Sequence, residues 1–240
     1  MKKRILALLL VLMLLLTACG GSKEEVSGTI RPIETEPVAM DQPEETEATA
    51  EEKPVSMGRL EGGNYINSYA GFGCSLDSSW TYYSAEELQD MPEEVLALFE
   101  GSELAESVDV ATQFTDMKAE NVDALLTMNV LYQKVPMEQR LALATIDEAE
   151  YMELTLRDKD MMIEAYAQAG FDVQTMEAVS INFLGEERTA LKTTSIVQDV
   201  PYYTLQLFYH NLGQFTITMT LASFVEDNTE SMLDLFYAVE

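Results

Sequence analysis

The sequence predicts an α+β domain: a single antiparallel sheet of six to eight strands, ending in a four-strand meander and covered by three helical stretches. Two observations carry that prediction. Four strand-like runs follow one another from Gln174 to Leu221, joined by tight-turn signals, and the last two alternate clearly between apolar and polar residues. Two capping-box spacings, Ser84-Ala85-Glu86-Glu87 and Thr145-Ile146-Asp147-Glu148, mark helix starts upstream of them.

Taken in order, the 240-residue chain opens with Lys2, Lys3 and Arg4, and Ile5 to Leu16 are then all apolar. A basic start, a short apolar run and the small residues Thr17-Ala18 form a secretory signal. The run falls short of the ~20 apolar residues that span a bilayer. Leu16-Thr17-Ala18-Cys19 resembles the lipobox of bacterial lipoproteins. The resemblance implies that Leu16, Thr17 and Ala18 are recognition positions, and that Cys19 receives a diacylglyceryl group and becomes the first mature residue. The lipid-bilayer partner and the place, the outer face of a bacterial cytoplasmic membrane, follow from it. Stable anchoring takes more than one acyl chain.

Residues 1–18 are thus the signal, 19–58 a tether and 59–240 the globular domain. The tether is rich in Glu, Thr, Pro and Ala, and Pro32, Pro37, Pro43 and Pro54 punctuate it. A segment so poor in apolar groups cannot offset its ordering entropy. Proline and like-charge repulsion extend it, to a span of roughly 35 Å or more. With the three basic residues of the signal removed, 11 basic face 42 acidic residues, a formal charge of −31. Such a surface repels nucleic-acid phosphates and anionic head groups.

In the domain, Tyr65–Tyr69 and Phe72–Leu76 read as a hairpin, and Trp80 as a core anchor after the turn Asp77-Ser78-Ser79. The first capping box starts a helix that Met91-Pro92 interrupts. Val95, Leu96 and Phe99 line one face of it, and Gly101 stops it. Val108–Phe114 and Leu125–Gln133 read as two strands with Met117–Asp123 between them. The second capping box opens the longest helix, with Ala149, Met152, Leu156, Ile163 and Tyr166 at helical spacing and Gly170 as its stop. Asp158-Lys159-Asp160 reads as charged helix surface.

The meander strands are Gln174–Leu184, Arg188–Gln198, Tyr202–His210 and Gln214–Leu221. Their turns are Gly185-Glu186-Glu187, Asp199-Val200-Pro201 and Asn211-Leu212-Gly213. Tyr203, Leu205, Leu207 and Tyr209 share one face, as do Phe215, Ile217, Met219 and Leu221. Thr204, Gln206, His210, Thr216, Thr218 and Thr220 form the opposite, polar face, on which His210 reads as solvent-facing. A final helix is expected over Asp227–Val239.

This order of elements resembles the α-β-α sandwich of the PsbP-like fold, whose members include a photosystem accessory protein, a Ran-binding protein and many bacterial lipoproteins. The family's apolar strand followed by Pro-x-Gly-Trp is matched at the strand and at Trp80, with Asp77 for Pro and Ser79 for Gly. The resemblance covers about residues 62 to 240 and implies a binding or accessory domain without catalysis. It transfers no functional residue.

The residues themselves point away from an enzyme. Nucleophilic catalysis needs a base beside the nucleophile, and Cys74 and His210 are the only thiol–imidazole pair the mature domain offers. Cys74, in an apolar strand, reads as buried and inert. No cofactor, zinc, calcium or phosphate motif occurs. Three functions follow in order: a lipoprotein domain docking a protein or cell-wall partner, a small-molecule or cation capture protein assisting transport, and a cell-wall hydrolase.

Overall fold

The computed structural model describes residues 56–84, 87–88, 113–135 and 137–239. The readings on the signal, the lipobox, the tether before Ser56, the helix beyond Leu88 and the strand over 108–112 lie outside those residues. No described helix is long and apolar enough to cross a membrane.

The antiparallel α+β class holds, but the single sheet does not: among the described residues there are two sheets. The smaller has four strands in the order β1-β2-β3-β11: β1 Arg59–Glu61, β2 Asn64–Asn67, β3 Phe72–Ser75 and β11 Phe236–Ala238. The larger has seven, in the order β4-β5-β6-β10-β9-β8-β7. They are β4 Thr81–Tyr82, β5 Gln113–Asn121, β6 Leu126–Lys134, β7 Asp172–Phe183, β8 Glu186–Val197, β9 Val200–Leu212 and β10 Phe215–Phe224. Every strand pair is antiparallel. Among the described residues, three helices, α1 Met137–Thr145, α2 Glu148–Arg157 and α3 Lys159–Gln168, precede the meander.

The expected closing helix does not form. Asp227–Val239 makes a short 3-10 turn at Ser231–Leu235 and then β11, which pairs with β3. Phe236 in that strand meets Phe72 and Phe183 edge-on. An extended backbone both closes the small sheet and seats the ring, which a helix does not do. Lys192 holds the preceding loop, with Nζ 2.8 Å from both Asp227 and Glu230.

Alternation along the strands builds three layers. Leu205, Leu207 and Tyr209 of β9, and Ile217, Met219 and Leu221 of β10, face the small sheet and meet Tyr65, Phe72, Cys74 and Phe236 in one core. The other face carries Leu191, Tyr202, Phe208 and Ala222, which pack with Met152, Met162 and Tyr166 of the helices. α1 lies on β9, α2 on β8 and β9, and α3 on β7. Among the described residues the layering is sheet, sheet, helix. Trp80 sits at the margin of the first core, partly buried, and is not its centre.

The helical region differs from its expected form. Thr145 ends α1, a helix the periodicity did not reveal, and the capping box belongs to Asp147 and Glu150. Asp147 accepts from the Glu150 backbone at 2.9 Å and Glu150 returns the bond at 3.1 Å. The long helix breaks at Asp158, and Lys159 turns inward to donate to the Met176 carbonyl at 2.7 Å. Gly170, at φ 85°, stops α3 as expected. Phe171 N–H bonds to Tyr166 and Gly170 N–H to Ala167, the paired pattern of a Schellman stop. The Ser84–Glu87 box forms as read, both ways.

Met117–Asn121, expected between strands, is part of β5. A bulge between Thr115 and Met117 hides the alternation that marks a strand. The meander lies where the sequence put it, with two turns one residue earlier. Leu184-Gly185 and Gln198-Asp199 all have positive φ, the geometry of two-residue hairpins. Pro201 is therefore in β9 and not in a turn.

Candidate functional site: a buried polar face

The helix-facing side of the large sheet is not uniformly apolar. Strand register places Lys118, Asn129, Thr220 and Gln206 directly opposite one another across β5, β6, β10 and β9. Two residues along, Thr127 and Thr204 flank Ala222 in the next row. All of these polar residues are buried, with Asn129 1 % and Gln206 0 % exposed. The face read as solvated from Thr204, Gln206, Thr216, Thr218 and Thr220 is thus interior.

Its hydrogen bonding is incomplete. Gln206 Nε2 donates to Thr220 Oγ1 at 3.2 Å. Gln206 Oε1, Thr127 Oγ1, Thr204 Oγ1 and both polar atoms of the Asn129 amide have no partner. A buried polar atom left unpaired costs about 1–3 kcal/mol, and native domains carry only a few. These atoms lie in two adjoining rows, and others among the described residues, such as Thr193 Oγ1, Tyr166 OH and Tyr209 OH, are also without a partner.

Lys118 ends the row, 1 % exposed. Its Nζ sits 4.2 Å from the centre of the Tyr83 ring. Burial pulls its pKa down to about 8, against the raising influence of the Glu120 and Glu87 carboxylates. Tyr83 donates to Glu120 at 3.0 Å, so this end is a small charged cluster.

His210 is on the same face, but it is not solvent-facing. It is 4 % exposed because α1 and α2 lie over β9. Its ring stacks on Tyr151 at 4.6 Å, and Nε2 donates to the Ile146 carbonyl at 3.0 Å. That bond fixes the tautomer and leaves the imidazole a helix-docking role.

Cys74 is on the other side of the large sheet. It is fully buried, with Sγ 3.7 Å from Met128 Sδ, and burial pushes its thiol up to about 12. Strand alternation puts Met128 on the small-sheet side and His210 on the helix side, so a sheet separates the thiol from the imidazole. They are not a catalytic pair. Among the described residues, no group of three His, Cys, Asp or Glu stands close enough to hold a metal ion. Leu16, Thr17, Ala18 and Cys19 lie outside the described residues.

Sequence reading found Thr204, Gln206 and Thr220 but missed Asn129, Thr127 and Lys118. The alternation of Thr127, Asn129 and Leu131 against Met128, Val130 and Tyr132 was available in β6. Which partner strand it met was not.

No protein-family model matches the chain, and no curated protein does. A crystal structure from Bacteroides thetaiotaomicron VPI-5482 is similar at a TM-score of 0.36 and 10 % identity, covering 75 % of this chain. The chain spans about half the length of that protein, 50 %. At that score the likeness transfers neither fold nor function.

Proposed function

We propose that this protein is a bacterial lipoprotein, held by diacylglyceryl on Cys19 at the outer face of the cytoplasmic membrane, whose domain binds a partner without catalysing a reaction. The observation that carries this is Leu16-Thr17-Ala18-Cys19 closing a basic-then-apolar start. The acidic, proline-punctuated stretch that follows serves as a spacer, and Ser56 and Gly58 are fastened to the large sheet through Tyr132 and Asp116. The resemblance to PsbP-like domains points to the same accessory role, though a small sheet stands where a helical layer is expected. The separation of Cys74 from His210 supports a binding function over nucleophilic chemistry.

Expression with a labelled fatty acid tests the anchor. Label and membrane association both lost in Cys19→Ala is the expected result, and an unlabelled yet membrane-bound variant overturns it. Crosslinking in intact cells tests the docking of a protein or wall partner.

The second reading, capture of a small molecule, is favoured by the unpaired atoms of Asn129, Gln206, Thr127 and Thr204.

A further inference from the structure

We propose that the end of the large sheet carrying Val122, Leu125 and Val225 is a docking surface for a partner protein that presents an apolar contact framed by Lys or Arg. The proposal rests on the docking reading above and names the surface.

Strand register brings the three together. Leu125, in the turn between β5 and β6, accepts from the Phe224 N–H at 3.1 Å where β10 ends. Val225 follows, and its N–H bonds to the Pro201 carbonyl at 2.9 Å. Val122 opens the same β5–β6 turn. The three are 49 %, 47 % and 54 % exposed.

Single exposed apolar side chains are ordinary on protein surfaces. These carry a further cost. Leu125 has φ 57° and Val225 φ 73°, and Val225 is the centre of a three-residue turn closed by Glu226 N–H to the Phe224 carbonyl at 2.9 Å. Such a turn is rare and strained, and positive φ suits a β-branched residue least of all. Glycine or asparagine meets the same geometry at lower cost. Four of the five described non-glycine residues with positive φ, Leu125, Gln198, Asp199 and Val225, stand at this one end of the sheet. The free domain thus holds two aliphatic side chains half in water on unfavourable backbone. A partner that covers them returns that cost as buried apolar area.

The turn is also fixed in advance. Asn121 Oδ1 accepts from Ala124 N–H at 3.1 Å, and its Nδ2 donates to Ser79 Oγ at 2.8 Å. A surface already in place pays less to bind.

Charge selects the occupant. Asp123, Asp199 and Glu226 are exposed beside the apolar residues, and no Lys or Arg occurs within 121–126, 198–202 or 222–227. A second copy would set these acids against themselves, and anionic head groups or nucleic acid would meet the same repulsion. An apolar centre with a basic rim is the complement. Position agrees: Val122 lies six residues along β5 from Asp116, about 20 Å from where Gly58 brings the chain into the domain.

The test places a photo-crosslinking phenylalanine analogue at Val122 or Ala124 of the full chain in intact cells. Leu154 and Ala178, exposed elsewhere on the domain, serve as control positions. Val122 and Ala124 should trap one and the same protein, through a segment of it that carries Lys or Arg, and the controls should not. Asp123→Lys with Glu226→Lys should cut the trapped fraction by about tenfold. Leu125→Gly and Val225→Gly should cut it similarly while each raises the Tm, because glycine accepts the backbone without strain. A lower Tm in both glycine variants shows the two side chains to serve the fold and overturns the proposal. Crosslinking to lipid, to a second copy or to an acidic segment overturns it as well. A protein trapped only from Leu154 or Ala178 sinks this surface and leaves the docking reading standing. No trapped protein from any position sinks both.

Discussion

The hydroxyl of Tyr65, on the small sheet, donates to Oδ2 of Asp116, in the bulge of β5 in the large sheet, at 2.5 Å. The bond crosses between layers and is continued by Asn67, whose amide donates to the hydroxyls of Tyr65 and Tyr132 at 2.8 Å each. Gly58 N–H also donates to Asp116, at 2.9 Å. A Cβ at Gly58 would run into the Tyr65 ring, so the chain enters the domain at a point where only glycine fits.

Removing the donor should be costly. Tyr65→Phe leaves the buried Asp116 carboxylate short of a partner, and a loss of about 1–3 kcal/mol is expected in urea unfolding. Asp116→Asn keeps an acceptor and removes a buried charge, so its loss should be smaller at neutral pH. Burial raises the Asp116 pKa above its ordinary 3.8, outweighing the lowering effect of Tyr65 and Gly58. Its contribution to stability is therefore full below pH 3.8 and lost as pH rises through the raised folded value. That decline should vanish in Asp116→Asn.

Lys118 predicts a slope of the other sign at higher pH. Its folded pKa of about 8 lies below the ordinary 10.5. Between those values the folded chain has released a proton that the unfolded chain keeps, so this group makes stability rise with pH. The full effect is about 3 kcal/mol. Cys74, pushed up by burial from 9.0 to about 12, opposes that rise above pH 9. Tyr83 and Tyr132, raised by burial first, hold protons that the unfolded chain loses above pH 10 and reverse the trend there, so the rise is confined to about pH 8–9. Measuring unfolding free energy from pH 7.5 to 10 for wild type and Lys118→Met should show the rise only in the former.

Cys74 should resist thiol reagents. Burial and a pKa of about 12 leave almost no thiolate at neutral pH. Reaction with a disulfide reagent should proceed only at the rate of unfolding, and become fast in urea. A rapid native reaction would show access to the first core.

The Gln198-Asp199 turn carries backbone strain. Both residues adopt positive φ, 50° and 66°, between two long central strands. Left-handed backbone costs an ordinary residue about 1–2 kcal/mol, and Asn-Gly is the pair such turns favour. Gln198→Asn with Asp199→Gly should stabilise the domain by about 1 kcal/mol, seen as a higher Tm.

His210→Phe separates stacking from hydrogen bonding at the helix dock. The ring contact with Tyr151 survives, while the Ile146 carbonyl loses its donor. A loss of about 1 kcal/mol is expected, read as a lower urea midpoint.

What the sequence alone determined was local. The meander strands, the Ser84 cap and the Gly170 stop follow from turn chemistry and side-chain period, which depend only on neighbours in the chain. The Leu205–Leu207 and Ile217–Met219 faces were correctly paired for the same reason. Only the tertiary structure decided what those faces met. Nothing within a few residues of Thr204 or His210 says that helices cover them, and burial turned an expected wet face into an interior one. The fate of Phe236 depended on β3, more than 150 residues away, whose free edge drew the chain into a strand where local periodicity favoured a helix. Long-range pairing set the layers, and with them the position of the polar row at Asn129.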